Sequence, residues 1–330
     1  MATAVMAALL ARPRLLTSAR SLGGGSRWKS SVSYLSRADA PRLAYSLSAG
    51  KSPGVLFLPG FGSSMDGAKG TALHGYCRSV GHAYTRFDYT GCGASEGDSS
   101  HWGVGQWKSD VLAVLDQLTT GPQILVGSSL GAWLMVLAAV ARPERVVGLV
   151  GVASAPDFLL RVYSSLTDEE RAEAQRTGEF RIPYSPPPSS SSPSPSPSPS
   201  PSPSPSPSPS PSSSKTHITI PLAAVLEAAR HSLLVAPTVT VTASSTADPL
   251  LPPLPPLPPL PVRCPVRLLH GLADEVAPWQ LALRLAERLA SAEVDVTLRK
   301  GAGHRFSEPA DLRLLASTLD DLVDRLTTHT

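Results

Sequence analysis

The chain is poor in cysteine, with only Cys77, Cys92 and Cys264. The count is odd and no two form a C-x-x-C pair, which argues against both a disulfide framework and a zinc site. Past the N-terminal region no stretch of about 18 apolar residues is free of charge and proline, so no membrane-spanning helix is expected. The mature protein is expected to be soluble, and its reduced thiols suit a matrix enzyme. Acidic residues are missing altogether before Asp39. Basic ones are not: Arg12, Arg14, Arg20, Arg27, Lys29 and Arg37 stand among Ala, Ser and Leu. That composition is typical of a mitochondrial transit peptide, and residues 1–38 are read as one. A secretory signal is the rival reading, because residues 2–11 are apolar, but the positive charges follow that run where they should precede it. The formal charge of +3 over 330 residues comes largely from this leader. The remainder is near neutral and has no basic stripe for nucleic acid.

Two further stretches cannot build a core. Residues 185–214 are almost entirely alternating Ser-Pro, which favours extended polyproline II. Residues 249–261 repeat Leu-Pro-Pro, and proline at that density excludes helix and sheet ladders alike. Both are read as surface insertions, with a docking ligand or a phosphorylated Ser-Pro array as the functional alternative.

What is present is an alternation of short apolar runs with amphipathic segments. Strands are expected at 55–58, 84–88, 123–126, 146–152, 266–270 and 294–299. Helices are expected at 65–80, 106–118, 132–139, 279–290 and 309–326. Strands apolar throughout, alternating with helices, imply an α/β fold whose mostly parallel sheet is covered on both faces. In such sheets the chemistry gathers at the carboxyl ends of the strands. Residues 39–330 are read as one domain of this kind, with a cap at 157–248 between the fourth and fifth of these strands.

Gly127-Ser128-Ser129-Leu130-Gly131 lies between an apolar strand and an apolar helix, which is the setting of a G-x-S-x-G nucleophile elbow. An ordinary glycine-rich turn is the bland alternative. If Ser129 is a nucleophile, an acid and then a histidine should follow it just after later strands. Asp274, in Gly271-Leu272-Ala273-Asp274, is so placed. His304, in Lys300-Gly301-Ala302-Gly303-His304, comes after the next strand. Asp274 would fix the tautomer of His304, whose Nε2 could then take the proton of Ser129. Neither residue is compelling alone: Asp274 could cap a helix, Glu275 and Asp157 are other candidate acids, and the chain has eight histidines. The order and spacing of all three carry the argument. Acyl transfer also needs oxyanion donors, for which the backbone N–H groups of Leu130 and Phe61 are the candidates. This chemistry calls for no cofactor and no metal.

The segments Arg86-Phe87-Asp88-Tyr89-Thr90-Gly91-Cys92-Gly93, Gly121-Pro122-Gln123-Ile124-Leu125-Val126-Gly127-Ser128-Ser129-Leu130-Gly131, Arg267-Leu268-Leu269-His270-Gly271 and Asp320-Asp321-Leu322-Val323-Asp324 also carry a resemblance. The chain resembles the α/β-hydrolase domain-containing protein 10 family from about Ser33 onward, apart from the insertions. The resemblance implies an α/β-hydrolase fold and a mitochondrial serine hydrolase. It implies palmitoyl-protein thioesterase activity on S-acylated mitochondrial proteins, acyl-glucuronide hydrolysis as a second activity, and Ser129, Asp274 and His304 as the triad. Both proline-rich tracts depart from the family pattern, as does the wording Phe61-Gly62-Ser63-Ser64 after the first of the strands above. A binding protein on a retired hydrolase fold is the alternative from another class, and a peptidase remains possible within enzymes. Haloalkane and epoxide hydrolases normally carry Asp at the elbow, so Ser129 argues against them.

Overall fold

A computed structural model describes residues 32–184, 216–234 and 257–328. The expected leader up to residue 31, the Ser-Pro tract and the first part of the Leu-Pro-Pro run lie outside the described residues.

The chain opens with three strands, β1 (Ser33–Arg37), β2 (Ala40–Ser48) and β3 (Lys51–Leu58). Alternation follows: α1 (Ala68–Val80), β4 (His82–Phe87), α2 (Val104–Leu118), β5 (Gln123–Ser128), α3 (Leu130–Ala141) and β6 (Val146–Val152). The cap comes next, with α4 (Phe158–Ser164), α5 (Asp168–Thr177), the strands β7 (Glu179–Tyr184) and β8 (Thr216–Pro221), and α6 (Leu222–Ala228). The chain then returns to the sheet with β9 (Val266–Gly271), α7 (Gln280–Arg288), β10 (Val294–Arg299) and α8 (Pro309–Thr327).

Eight strands form one sheet in the order β1-β2-β4-β3-β5-β6-β9-β10. Every pairing from β4 to β10 is parallel, whereas β1 and β2 pair antiparallel. The expected α/β architecture is therefore observed. Central strands explain themselves: every residue of β5 is buried, as a parallel strand covered on both faces must be. The helix α3 is apolar on all sides and buried over Leu130–Ala139, with Trp133 fully enclosed. Such a helix has no solvent face.

The first two strands were not expected. Their residues alternate polar and apolar, which composition alone reads as leader or linker. Arg37, counted above with the leader, instead reaches Asp110 Oδ1 at 2.6 Å, and the Asp110 side chain is wholly buried. Asp110 also accepts from Thr90 N at 2.7 Å and Gln106 Nε2 at 2.9 Å. The compact unit that holds the sheet runs from Val32, so Ser33–Arg37, within the segment read as leader, pairs with β2 as a strand of it.

The cap explains how the insertions are accommodated. β7 and β8 form an antiparallel pair that ends with Tyr184 opposite Thr216, so the Ser-Pro tract joins two positions already side by side. On the other flank Arg288 Nε donates to Leu233 O at 3.2 Å, and its Nη1 to Leu257 O at 2.6 Å and Pro258 O at 2.8 Å. One guanidinium holds both ends of the segment between residues 234 and 257. Among its described residues the Leu-Pro-Pro run joins no sheet and makes one isolated bridge, Leu260 to Leu289, with the Leu260 N–H donating to Arg288 O at 2.6 Å. Leu260 is not itself a proline, so its N–H is free to pair.

Candidate active site

Ser129 stands between β5 and α3 with φ 54° and ψ −115°, a region that costs a non-glycine residue energy. Packing of the two glycines enforces it. A Cβ on Gly127 would lie 2.4 Å from Gly131 O, and one on Gly131 would lie 2.1 Å from Leu58 O. Only glycine lets β3, β5 and α3 approach this closely. The backbone of the serine is pinned as well, since its N–H donates to Val152 O at 2.8 Å and its carbonyl accepts from Ala155 N at 3.2 Å.

Ser129 Oγ lies 2.9 Å from His304 Nε2. His304 Nδ1 lies 2.8 Å from Asp274 Oδ2 and 3.0 Å from Oδ1. The structure therefore brings together the three side chains that the sequence predicted, each from a loop at the carboxyl end of a different strand. The Asp274 carboxylate is fully buried, while the His304 side chain is 21% exposed. Burial alone would push the Asp274 carboxyl up, but hydrogen bonds from His270 and His304, the charge of His304 and the Ala277 N–H outweigh it. The net effect holds Asp274 well below the usual carboxylate range.

The histidine loop is fixed from two sides. Phe306, buried and at φ 44°, turns the chain just past His304. From the first turn of α1, Lys69 Nζ donates to the carbonyl of Arg305. Neither residue carried a sequence signal, because Phe306 acts through its own backbone angle and Lys69 through a carbonyl of a distant loop.

The loop after β3 lies against the serine. A Cβ on Gly60 would meet Ser128 O and Ser129 Cβ, both at 3.2 Å. Tyr89 Oη donates to Pro59 O at 3.1 Å and Ser63 N to Gly60 O at 3.1 Å, so the loop is held from outside and within. Among the described residues no protein acceptor takes the N–H of Phe61 or of Leu130.

The Phe61 ring faces Trp102 at 5.3 Å, Phe158 at 5.7 Å and Trp107 at 6.0 Å between centroids. These rings come from the β4 loop, the cap and α2. They make an apolar, aromatic wall beside the loop of the candidate oxyanion donor. Sequence reading missed this cluster, since its members are scattered over about a hundred residues with no common spacing.

The other candidate acids are placed elsewhere. Asp157, in the left-handed region at φ 56°, accepts from Ser232 Oγ at 2.8 Å, Leu233 N at 2.8 Å and Leu234 N at 2.9 Å. It ties the end of the cap to the β6 loop. Glu275 is exposed. Of the remaining histidines, His74 stacks on Tyr84, His82 bonds Pro53 O, His101 takes part in capping Ser99–His101, His217 is exposed on β8 and His231 pairs with Glu227. His329 lies outside the described residues. In the cap helix α6, Val225 and Ala228 pack inward, whereas Leu226 is 55% exposed and does not join the packed face.

Comparison with known proteins follows the same lines. Residues 55–315 match the model of the alpha/beta hydrolase family. The protein of Rattus norvegicus named palmitoyl-protein thioesterase ABHD10, mitochondrial, is 41% identical over 92% of this chain and 86% of its own length. The solved structure of mouse alpha/beta hydrolase domain-containing protein 10 superposes with a TM-score of 0.70 at 40% identity, over 90% of this chain and 99% of its own. A putative hydrolase from Agrobacterium vitis S4 gives a TM-score of 0.70 at 25% identity, over 88% of this chain and 98% of its own.

Proposed function

The chain belongs to the alpha/beta hydrolase family, and we propose that it is a serine hydrolase of acyl thioesters and esters in which Ser129 forms an acyl-enzyme. The observation that carries this reading is the continuous relay of 2.9 Å from Ser129 Oγ to His304 Nε2 and 2.8 Å from His304 Nδ1 to Asp274 Oδ2. His304 takes the proton of Ser129 as Oγ attacks the acyl carbon. Asp274 keeps Nδ1 protonated, so that Nε2 is the free base, and stabilises the imidazolium that forms. The N–H groups of Leu130 and Phe61 receive the developing oxyanion, each such donor contributing about 3–4 kcal/mol to the transition state. Collapse of the tetrahedral intermediate expels the thiol or alcohol, which takes the proton from His304. Water, deprotonated by His304, then attacks the acyl-Ser129 ester and releases the acid.

The relatives named palmitoyl-protein thioesterases support an S-acylated protein as the substrate and the mitochondrion as the place of action. The matrix is the compartment that fits reduced thiols and a basic, acid-free leader. Hydrolysis of acyl-glucuronide esters is proposed as a second activity, since ester and thioester pass through the same oxyanion. The aromatic wall of Phe61, Trp102, Trp107 and Phe158 suits an apolar acyl group. Turnover of a palmitoyl-cysteine peptide, an acyl-glucuronide and short p-nitrophenyl esters by the mature protein tests the reading. Folded protein inert to all three and unlabelled by a fluorophosphonate probe would point to a binding role instead.

A further inference from the structure

The acid loop contains a group that the chemistry above does not use. His270 lies near the end of β9 and is fully buried. Its Nε2 lies 2.9 Å from Ala277 O and 3.1 Å from Asp274 Oδ2. A carbonyl and an ionised carboxylate both only accept, so Nε2 carries the proton and shares it between them. Nδ1 has no hydrogen-bond partner. A nitrogen buried without a partner is unfavourable, and an apolar side chain would fill the same space without that penalty. Packing alone therefore does not account for a histidine here.

Both carboxylate oxygens of Asp274 face His304, whose Nδ1 lies 3.0 Å from Oδ1 and 2.8 Å from Oδ2, but their other contacts differ. Oδ1 accepts the N–H groups of Val276 at 2.9 Å and Ala277 at 2.8 Å. Oδ2 accepts from two imidazoles, His304 at 2.8 Å and His270 at 3.1 Å. The backbone amides fix where the carboxylate sits, and His270 is the side chain that competes with His304 for the charge of the same oxygen. The Ala277 carbonyl anchors His270 in turn, which closes a small ring from residue 270 through 274 to 277. Among the described residues Arg161 from α4 also faces this loop, with its Nη2 3.5 Å from Val276 O and the charges of Asp157 and Asp274 acting on it, while Glu275 in the loop itself is exposed.

We infer that His270 is a positioning residue for the proposed reaction: through Nε2–H, anchored on Ala277 O, it holds Asp274 Oδ2 against His304 Nδ1 and shares its charge. The inference rests on the Ser129 reading above. His270 exchanges no proton with substrate. Its effect is electrostatic and has a definite sign. With the donor removed, Oδ2 bears more uncompensated negative charge, which favours protonated His304. The rising limb of the pH profile then moves to higher pH.

The test compares His270→Leu, which removes the donor, with His270→Gln, whose amide nitrogen can reach the Nε2 position. Thermal unfolding verifies the fold, and kcat, KM and the pH profile of kcat/KM are measured on a soluble p-nitrophenyl ester. In His270→Leu, kcat should fall about 10–100-fold with KM little changed, by analogy with partners that orient metal-bound histidines. Its rising limb should move up by about half a unit or more, and the low-field proton resonance of the His304–Asp274 bond should shift. In His270→Gln, activity should stay within about threefold of wild type and the limb should not move. If His270→Leu does not fold, His270→Asn, whose amide ends near the Nδ1 position, serves as the variant lacking the donor. Folded His270→Leu with wild-type kcat and an unmoved limb overturns the inference. So does a His270→Gln protein as impaired as His270→Leu. Failure of the underlying reading would look different, because wild-type protein would itself resist the fluorophosphonate.

Discussion

Ser129 Oγ and His304 Nε2 lie 2.9 Å apart although 175 positions separate them in the chain. The contact exists because β5 and β10 both end at one edge of the sheet, and each delivers its loop there. Ser129→Ala should leave the fold intact and lower kcat by about a millionfold on any accepted ester or thioester. Fluorophosphonate labelling should vanish with it, and full labelling of the variant would disprove the assignment.

Asp274 and Asp157 are both acids that follow strands of the sheet, but their partners differ in kind. Asp274→Asn should lower kcat about 10⁴-fold, because the amide supports the wrong histidine tautomer. Asp157→Asn should instead lower the unfolding temperature, having weakened three hydrogen bonds that hold residues 232–234, while the folded fraction still reacts with the probe. A parallel titration of active sites and thermal melts separates the two.

The depressed ionisation of Asp274 also makes a stability prediction. A carboxyl whose folded-state pKa lies below its unfolded value contributes stability at neutral pH, and that contribution is lost as pH falls through the shifted range. Wild type should therefore melt at a higher temperature than Asp274→Asn at pH 7. The gap should narrow below about pH 4, where the unfolded carboxyl is protonated. Melting curves between pH 7 and 3 would show it, and a gap that widens toward acid would contradict the sign.

Arg37 and Asp110 tie β1 to α2 in a buried ion pair. Protein beginning at residue 32 should fold normally, whereas protein beginning at residue 39 leaves Asp110 without its cation and removes β1 from the sheet edge. Breaking one partner of a buried pair costs about 3–5 kcal/mol, so the shorter protein should unfold at much lower denaturant concentration. Equal midpoints for the two would place the start of the folded unit later than Val32.

Tyr184 pairs with Thr216 at the end of the β7–β8 hairpin. Replacing residues 186–214 with a two-residue Asn-Gly turn should change the melting temperature little, because closing a shorter loop between paired ends gains only about 1–2 kcal/mol. A large loss of stability or of activity would mean that the tract does more than connect.

The sequence by itself determined the elements whose signal is local. Continuous apolar runs marked the central strands, of which Val146–Val152 has the bounds expected, and so does the alternating edge strand Val294–Arg299, which lies between two helical patterns. Glycine spacing marked the elbow at Ser129, and chain order alone selected Asp274 and His304 from many acids and histidines. These succeed because a parallel sheet sends each strand end to the same side, so order along the chain becomes proximity in space. The antiparallel edge of β1 and β2 was illegible, since half-exposed edge strands alternate and read like polar leader. Only tertiary structure could decide that Asp157 is an anchor, that His270 shares the carboxylate of Asp274, or that Phe61, Trp102, Trp107 and Phe158 stand together. Each of those facts is a contact between loops of different strands, and no periodicity along the chain encodes which loops meet.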